Sequence, residues 1–529
     1  MSDKERLITS KDKDSDVGIN KYYSKLSSDE VGEVKKEASF RDTFWRWVAL
    51  FFACFFLLGS YFCYDNPNAL SDMLQKYVSV GDVKYNLLYS VYSYPNVILP
   101  LIGGVLIDKI GINFSIVLFS ILLVAGQGVF AIAGFVGESG EDHVSTAFII
   151  AIIGRVVFGL GGESLNVCQS TVVSRWFKGK ELSLALGINI SVSRLGSVFN
   201  NYTMPPLADA TSLGWALTFG FILCIVSFAC GIVLTFFERH ANKVDKKSGA
   251  LNEDEKEEFH WRDIKEFTLP FWLISANCVF TYIGIFCFNN ISNDFFVARY
   301  GIEQKSAARI TSIVFFIPAF LAPAFGIVTD RIGHKVTLCI IATSTLTLCH
   351  ALFFLIPASN DQNISYWGIA PVVLLGVTYS IYVSALWPMV PMVVEARVLG
   401  SAYGLCTALQ NIGLAIGPTI VGALTFKKST DDEQTSGINN NAFNYVSIAL
   451  GGFALLGVLS SIALLIADRI QLNGKLQKPD NDGENEEENG HNQENEDHVE
   501  DMDSHSHGQN SESYKAHVKR SIARSSMAR

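Results

Sequence analysis

The amino-acid sequence predicts an all-α membrane protein whose twelve transmembrane helices form two six-helix bundles. Three observations predict this fold class: the composition, the number of long apolar stretches, and a short polar string that occurs twice. Hydrophobic residues make up 49% of the 529 residues, charged residues make up 17%, and the mean hydropathy is +0.28. An average soluble domain carries about 25% charged residues, so the composition excludes an ordinary soluble protein.

Twelve apolar stretches are long enough to cross a bilayer, because a transmembrane helix needs about 20 mainly apolar residues. The first stretch is the clearest, since no charged residue lies between Trp47 and Tyr64. The predicted spans are 44–64, 85–107, 114–136, 146–173, 181–204, 213–237, 267–290, 307–329, 335–357, 366–394, 399–425 and 443–467.

The loops predict the orientation, because cytosolic loops are enriched in Lys and Arg. Basic residues follow the second, fourth, sixth and eighth spans, whereas the loops 137–145 and 358–365 contain no Lys or Arg. Both termini are therefore predicted to be cytosolic. The loop after the seventh span is an exception, because it carries Arg299, Lys305 and Arg309.

Polar stretches divide the chain into five predicted regions. The formal net charge is −10, but residues 480–503 contain twelve acidic residues and no Lys or Arg, so the remainder carries +2. The negative total charge argues against a nucleic-acid partner, because binding phosphates requires Lys and Arg. The regions are a disordered N-terminal tail (1–43), an N-terminal bundle (44–237), a cytosolic linker (238–266), a C-terminal bundle (267–467) and a disordered acidic C-terminal tail (468–529).

The sequence contains no pattern typical of an enzyme or of a metal or cofactor site. All ten cysteines lie in apolar stretches and none has metal-ligand spacing. No nucleophile–base constellation is present, and no phosphate-binding GxxxxGK[ST] string suggests ATP-driven pumping.

A string of glycine, three residues, aspartate, a basic residue, any residue and glycine occurs twice, 222 residues apart, after the second and eighth spans. Glycine lets neighbouring helices approach closely, and an aspartate at a membrane edge is suited to bind a nearby helix N-terminus. Such a motif can latch two bundles together, whereas the alternative is a plain capped turn. The motif residues are Gly104, Asp108, Lys109 and Gly111 in the first copy and Gly326, Asp330, Arg331 and Gly333 in the second.

These strings resemble the signature loops of the major facilitator superfamily, which lie between helices 2 and 3 and between helices 8 and 9. The resemblance covers roughly residues 44–467. It implies the major facilitator fold, a central site near the bilayer midplane, and alternating access by rocking of the two bundles.

Two opposite charges lie near the middle of the fourth and fifth spans. A charge within the membrane is energetically costly, and it therefore indicates a functional site. Glu163 and Arg194 are equally far along the chain from the loop that joins these spans, and the helical rise places each roughly 20–23 Å from the turn. Two interpretations remain open. The pair forms an internal salt bridge, or Glu163 binds the ammonium and Arg194 the carboxylate of a zwitterion such as a dipeptide.

The residues around both charges resemble the lysosomal dipeptide transporter branch of the superfamily. The strings are Arg-x-x-x-Gly-x-Gly-Gly-Glu-Ser around Glu163 and Asn-x-Ser-x-Ser-Arg-Leu-Gly-Ser around Arg194. The resemblance implies facilitative, uniport-type transport of dipeptides across the lysosomal membrane. It also implies that both charges contact substrate, and that vertebrate members need a heavily glycosylated single-span subunit on the luminal side.

Two other functions are compatible with the same residues. The first is a major facilitator carrier, proton-coupled or not, for another small organic anion or amino-acid-like solute, with Arg194 as the main contact. The second is a membrane receptor or scaffold that binds a ligand without transporting it.

Further polar residues in the spans either line a substrate cavity or bond across helices. Arg155 resembles the superfamily's helix 4 arginine, which is a gating or packing residue. The candidate substrate contacts are Tyr282, Asn289, Asn290 and Asn293 in the seventh span, Tyr382 and Trp387 in the tenth, and Asn411 in the eleventh.

The N-terminal tail contains a string of the acidic dileucine sorting form, in which an acidic residue stands four positions before Leu-Leu or Leu-Ile. Asp3, Leu7 and Ile8 occupy these positions. Together with the family resemblance, the string predicts recognition by cytosolic sorting adaptors and residence in the lysosomal membrane.

Overall fold

A computed structural model describes residues 39–78, 82–179, 181–247, 263–358, 366–425 and 440–479. Regular structure within these ranges is entirely helical. The predicted sorting motif, most of the linker and the acidic stretch 480–503 lie outside the described residues.

The prediction of twelve transmembrane helices is confirmed, and we label the crossings α1 to α12. Eleven of them, within the described ranges, are helices long and apolar enough to span a membrane. The bounds are α1 Trp45–Tyr64, α2 Asp82–Ile110, α3 Ile112–Glu138, α4 Val144–Trp176, α5 Leu182–Ala210, α6 Leu213–Lys247, α7 Leu269–Tyr300, α8 Gln304–Ile332, α9 Lys335–Leu355, α10 Ile369–Met389, α11 Leu399–Thr425 and α12 Asn440–Gln471.

The remaining crossing, α2, is built from three shorter pieces. The helices Asp82–Ser93 and Leu99–Ile110 flank a 3₁₀ turn at Pro95–Val97. Proline lacks a backbone N–H and clashes with the preceding turn, so Pro95 and Pro100 break the regular ladder. The Asn96 side chain donates a hydrogen bond to the Tyr92 carbonyl, 2.9 Å away, and so replaces part of the lost backbone bonding.

The two bundles, α1–α6 and α7–α12, meet mainly along two pairs of helices. Helix α2 packs against α11, and α5 packs against α8. These pairs are related by the repeat, because each joins the second helix of one bundle to the fifth helix of the other. The motif copies therefore lie at equivalent points of the interface, on what we call the motif face of the membrane domain.

Polar segments at the motif face are more ordered than the sequence predicted. Residues 39–43 were expected to be disordered, yet Phe40–Asp42 forms a 3₁₀ turn. Helix α6 continues through residues 238–247 of the predicted linker. At the C-terminal end, Lys475–Gln477 forms a 3₁₀ turn whose Gln477 carbonyl accepts a hydrogen bond from the His334 N–H at 2.9 Å.

Arg299 explains part of the exception to the charge rule. Its side chain is buried and donates to the carbonyls of Phe354, at 3.2 Å, and Ile356, at 2.9 Å. It also donates to the Asn444 side chain at 2.6 Å. Because a cation is favourable at a helix C-terminus, Arg299 satisfies the end of α9 and is not a solvated loop charge.

Candidate functional site

Arg194 extends from α5 of the N-terminal bundle into the C-terminal bundle. Its Nη2 donates to the Tyr379 hydroxyl at 2.7 Å. Its guanidinium carbon lies over three rings, at 4.9 Å from the Phe315 centroid, 5.5 Å from Tyr379 and 5.6 Å from Phe286. These rings belong to α8, α10 and α7, so Arg194 lies at the boundary between the bundles within an aromatic cage.

The guanidinium retains hydrogen-bonding capacity inside this cage. Its Nε is buried and has no hydrogen-bond partner among the described residues. An unpaired buried donor is costly, and guanidinium presents its donors in a fork that matches a carboxylate. The arrangement is therefore suited to bind an anionic group between the bundles.

Glu163 lies on α4, within the N-terminal bundle. Its Oε1 accepts a long hydrogen bond of 3.4 Å from the Tyr92 hydroxyl of α2. One turn further along α4, the Asn166 side chain accepts a bond from the Tyr61 hydroxyl of α1 at 3.3 Å. The carboxylate is half-buried among polar groups of α1, α2 and α4, which is an environment suited to an ammonium group.

The two membrane charges do not neutralise each other in this structure. Among the described ion pairs with N–O distances up to 4.0 Å, none joins Glu163 to Arg194. Tyr61 lies close enough to both to interact electrostatically with each. The internal salt bridge is therefore absent among the described residues, and the two charges stand as separate poles.

The centre of α7 departs from regular α-helix where it faces Arg194. Residues Ile283–Cys287 form a π-helical segment, a feature that is frequent at functional sites. Tyr282 stacks on Phe286, with centroids 5.3 Å apart, and accepts a hydrogen bond from the Trp387 indole at 3.1 Å. Tyr282 and Trp387, both predicted site residues, therefore extend the aromatic cage around Arg194.

Two other predicted contacts are bonded to the protein itself. The Tyr382 side chain is fully buried and donates to Asn277 of α7 at 2.8 Å. Asn411 donates to the Asn96 carbonyl of α2 at 2.8 Å. Tyr382 thus packs within the C-terminal bundle, whereas Asn411 bridges the two bundles at the break in α2.

The three asparagines of α7 lie beyond its π-helical segment and differ from one another. Asn290 is exposed. The side-chain oxygens of Asn289 and Asn293 are buried and have no hydrogen-bond partner among the described residues. Because these two residues are four positions apart, they share one helix face.

Arg155 is a packing residue in this structure. It is completely buried, and it donates to the carbonyls of Cys63 at 3.3 Å, Tyr64 at 3.4 Å and Leu88 at 3.4 Å. The first two carbonyls belong to the last turn of α1, where a cation complements the helix dipole. Arg155 thus ties α4 to α1 and α2, away from the aromatic cage.

The two motif aspartates bind helix N-termini across the bundle interface. Asp108 accepts from the backbone N–H groups of Gly400, at 2.9 Å, and Ser401, at 2.5 Å, in the first turn of α11. Asp330 accepts from those of Ser183 and Leu184, both at 2.9 Å, in the first turn of α5. Each carboxylate satisfies two N–H groups that a helix leaves unpaired at its start. We call these contacts the two latches.

The other motif positions have distinct roles. Lys109 and Arg331 are exposed at the motif face. Gly111 and Gly333 follow the last residues of α2 and α8 with φ values of 98° and 69°, a region that favours glycine. They therefore end their helices and let the chain turn into the next span.

The first glycine of each motif allows backbones of the two bundles to touch. A Cβ atom on Gly104 would lie 2.2 Å from the Gly400 carbonyl oxygen, and one on Gly326 would lie 2.6 Å from the Leu184 Cα. Because both neighbours are backbone atoms, neither contact can be relieved by a side-chain rotation. The motif face is consequently closed in this structure.

Replacing Gly104 with alanine is expected to disfavour this closed arrangement by about 1–3 kcal/mol, the usual cost of overpacking. The measurement is the distance between spin labels at Lys178 and Lys475, which are exposed residues of different bundles on the motif face. We expect a longer-distance population to grow. Gly452→Ala is the matched control, since a Cβ there meets nothing within 4 Å; equal effects of the two changes would contradict the prediction.

The family model of the Major Facilitator Superfamily matches residues 50–418 and 274–494 of this chain. The chain is 35% identical over 438 residues to a Homo sapiens protein named lysosomal dipeptide transporter MFSD1, covering 80% of this chain and 87% of the relative. The Mus musculus protein of the same name is 38% identical over 397 residues, covering 72% and 81%.

Solved structures support the same assignment at the level of the fold. A structure of the proton:xylose symporter XylE superposes with a TM-score of 0.58 at 12% identity, covering 79% of this chain and 95% of that one. The helix arrangement and both latches are consistent with the family model and the sequence relatives. This chain belongs to the major facilitator superfamily.

Proposed function

We propose that this chain is a facilitative transporter that carries dipeptides across the lysosomal membrane by alternating access. One observation carries the proposal: Arg194 and Glu163 are oppositely charged, and no ion pair in the described part of the chain joins them. The relatives named lysosomal dipeptide transporters support the substrate class and the membrane. In this account the protein is not an enzyme and uses no cofactor.

The chemistry of a dipeptide matches these poles. Its carboxylate pairs with Arg194, whose Nε is buried without a hydrogen-bond partner among the described residues, and its ammonium pairs with Glu163. Two extended residues span at most about 7 Å, which is a workable gap for side chains on neighbouring helices. Recognition of the two chain ends leaves the peptide side chains to be accommodated by the surrounding aromatic cage.

The cage connects binding to movement of the bundles. Arg194 belongs to α5, whereas its hydroxyl partner Tyr379 belongs to α10. A substrate carboxylate competes with Tyr379 for the guanidinium, and so binding changes a contact that joins the bundles. The two latches hold the motif face closed in this structure. Their release then opens it.

Uptake of labelled dipeptides into proteoliposomes tests this function. We expect saturable uptake that persists without a pH gradient, because a uniporter requires only a substrate gradient. A thermal-shift panel provides a second readout, in which dipeptides stabilise the protein and monocarboxylates do not. Stabilisation by monocarboxylates would favour the organic-anion carrier, and dipeptide binding without uptake would favour a receptor.

The proposal also includes the cellular setting. The motif face and both termini are cytosolic. Sorting adaptors recognise Asp3, Leu7 and Ile8. The opposite face is luminal and is where a glycosylated single-span subunit would contact the loops. Mutating Leu7 and Ile8 to alanine is the direct test of sorting, with the lysosomal fraction of the protein as the readout.

A further inference from the structure

Two carboxylates on the extension of α6 are buried although they lie past the apolar part of the helix. Glu238 is 0% exposed and Asp245 is 2% exposed. Arg41 pairs with both, at 2.9 Å from Glu238 and in a shorter contact with Asp245. Asp245 also accepts bonds from the Ser39 hydroxyl at 2.9 Å and the Phe40 N–H at 3.0 Å. The segment preceding α1 is therefore firmly anchored to α6.

The same anchor reaches the end of α4. The second oxygen of Glu238 accepts a hydrogen bond from the Trp176 indole at 2.7 Å. The ring of Phe40 packs edge-on against Trp176, with centroids 6.2 Å apart. We call residues 39–46 the N-terminal strap, because they link α6, the end of α4 and the start of α1.

The strap then contacts the turn that leads into α5. Arg46 lies 2.5 Å from the Glu181 carboxylate, and its guanidinium covers the rings of Trp47 and Phe177 at 5.5 and 5.7 Å. Glu181 immediately precedes α5 and has a left-handed φ of 54°. Ser183 and Leu184, the N–H donors to the second latch, follow within three residues.

The other latch has an equivalent contact with the charges exchanged. Asp263 lies in the segment preceding α7, and it pairs at 3.1 Å with Arg397, which lies in the turn preceding α11. Gly400 and Ser401, the donors to Asp108, follow Arg397 within four residues. In each bundle, therefore, a residue at or just before the start of the first helix pairs with the turn before the fifth helix.

We propose that the pairs Arg46–Glu181 and Asp263–Arg397 are two braces that position the helix N-termini bound by the latch aspartates. This inference rests on the alternating-access part of the proposed function. Each brace acts through its latch: it fixes the turn from which the donor N–H groups emerge, and so favours the closed motif face. Because Arg46 belongs to the N-terminal strap, the first brace depends on the docking of this strap against α6.

Spin-label distances between Lys178 and Lys475 test the braces without any substrate, so the result does not depend on whether dipeptides are transported. Both ion pairs keep some contact with solvent, and solvent screening keeps the contribution of such a pair small. We therefore expect Arg46→Glu or Asp263→Lys to lower the ratio of closed to open populations about two- to fivefold. Arg46→Gln provides a milder change should reversal impair folding.

Rescue by the exchanged pair separates a positioning role from general destabilisation. The double variants Arg46→Glu with Glu181→Lys, and Asp263→Lys with Arg397→Glu, are expected to restore the closed population. Arg239→Glu, an exposed change on the same extension of α6, is the matched control and should leave the distances as in the wild type. Single reversals with wild-type distances, or exchanged pairs that fail to restore them, would overturn the proposal.

Discussion

Replacing Arg194 with glutamine is expected to lower the rate of dipeptide uptake by roughly 30-fold or more. Losing one partner of a buried charge pair at a binding site costs at least about 2 kcal/mol, and Arg194 is the cation within the aromatic cage of Phe286, Phe315 and Tyr379. The variant removes the fork that would hold a carboxylate. The measurement is the initial rate of uptake into proteoliposomes over a range of dipeptide concentrations.

Two further variants separate charge from geometry at this position. Arg194→Lys keeps the charge but loses the planar fork, so we expect a rate between those of wild type and Arg194→Gln. Tyr379→Phe keeps the ring and removes the hydroxyl bonded to Nη2, and it should have a smaller effect. Unchanged uptake in Arg194→Gln would contradict the assigned role of this residue.

Removing both latch carboxylates, by Asp108→Ala with Asp330→Ala, is expected to shift the protein strongly toward an open motif face. Each aspartate accepts two backbone hydrogen bonds across the interface, and hydrogen bonds to charged groups contribute about 1.5–3 kcal/mol each. We therefore expect the closed population to fall at least about tenfold. Spin labels at Lys178 and Lys475 provide the measurement, and uptake should slow because the closed state becomes rare.

The single variants test whether the repeat is functional in both copies. The two latches have nearly the same geometry, so Asp108→Ala and Asp330→Ala should have similar effects. Asparagine at either position retains one acceptor oxygen and should give an intermediate shift. A large effect from one aspartate and none from the other would show that only one copy of the motif is a latch.

The helices were predictable from the sequence because bilayer thickness fixes the length of an apolar span. The predicted 44–64 and 399–425 correspond closely to α1, Trp45–Tyr64, and α11, Leu399–Thr425. The latch bonds were anticipated for a chemical reason, since an aspartate next to a close helix contact is suited to bind an N-terminus. Both predictions rest on constraints that act on a single segment or a single motif.

The partners of Arg194 were harder to predict. Phe286 and Phe315 are two of 37 phenylalanines in the chain, and nothing in their local sequence distinguishes a cage residue from one that faces lipid. The π-helical segment that includes Phe286 also has no simple sequence signal. For the same reason the sequence left open whether Glu163 and Arg194 form an ion pair.

The braces depend on contacts between residues that are far apart in the chain. Arg46 and Glu181 are 135 positions apart in the sequence, and Asp263 and Arg397 are 134 positions apart. Charged residues in loops are usually solvated, so the sequence indicated only the orientation of these segments. Their pairing became evident once the fold placed the first and fifth helices of each bundle side by side.

The central claim is that Arg194 binds the carboxylate and Glu163 the ammonium of the same dipeptide. The most direct test measures the binding affinities of a dipeptide, its C-terminal amide and its N-acetyl form to the wild type, Arg194→Gln and Glu163→Gln. The account predicts that amidation weakens binding to the wild type and to Glu163→Gln but has little further effect in Arg194→Gln, and that acetylation shows the reverse pattern. Independent, additive losses from ligand and protein changes would contradict it.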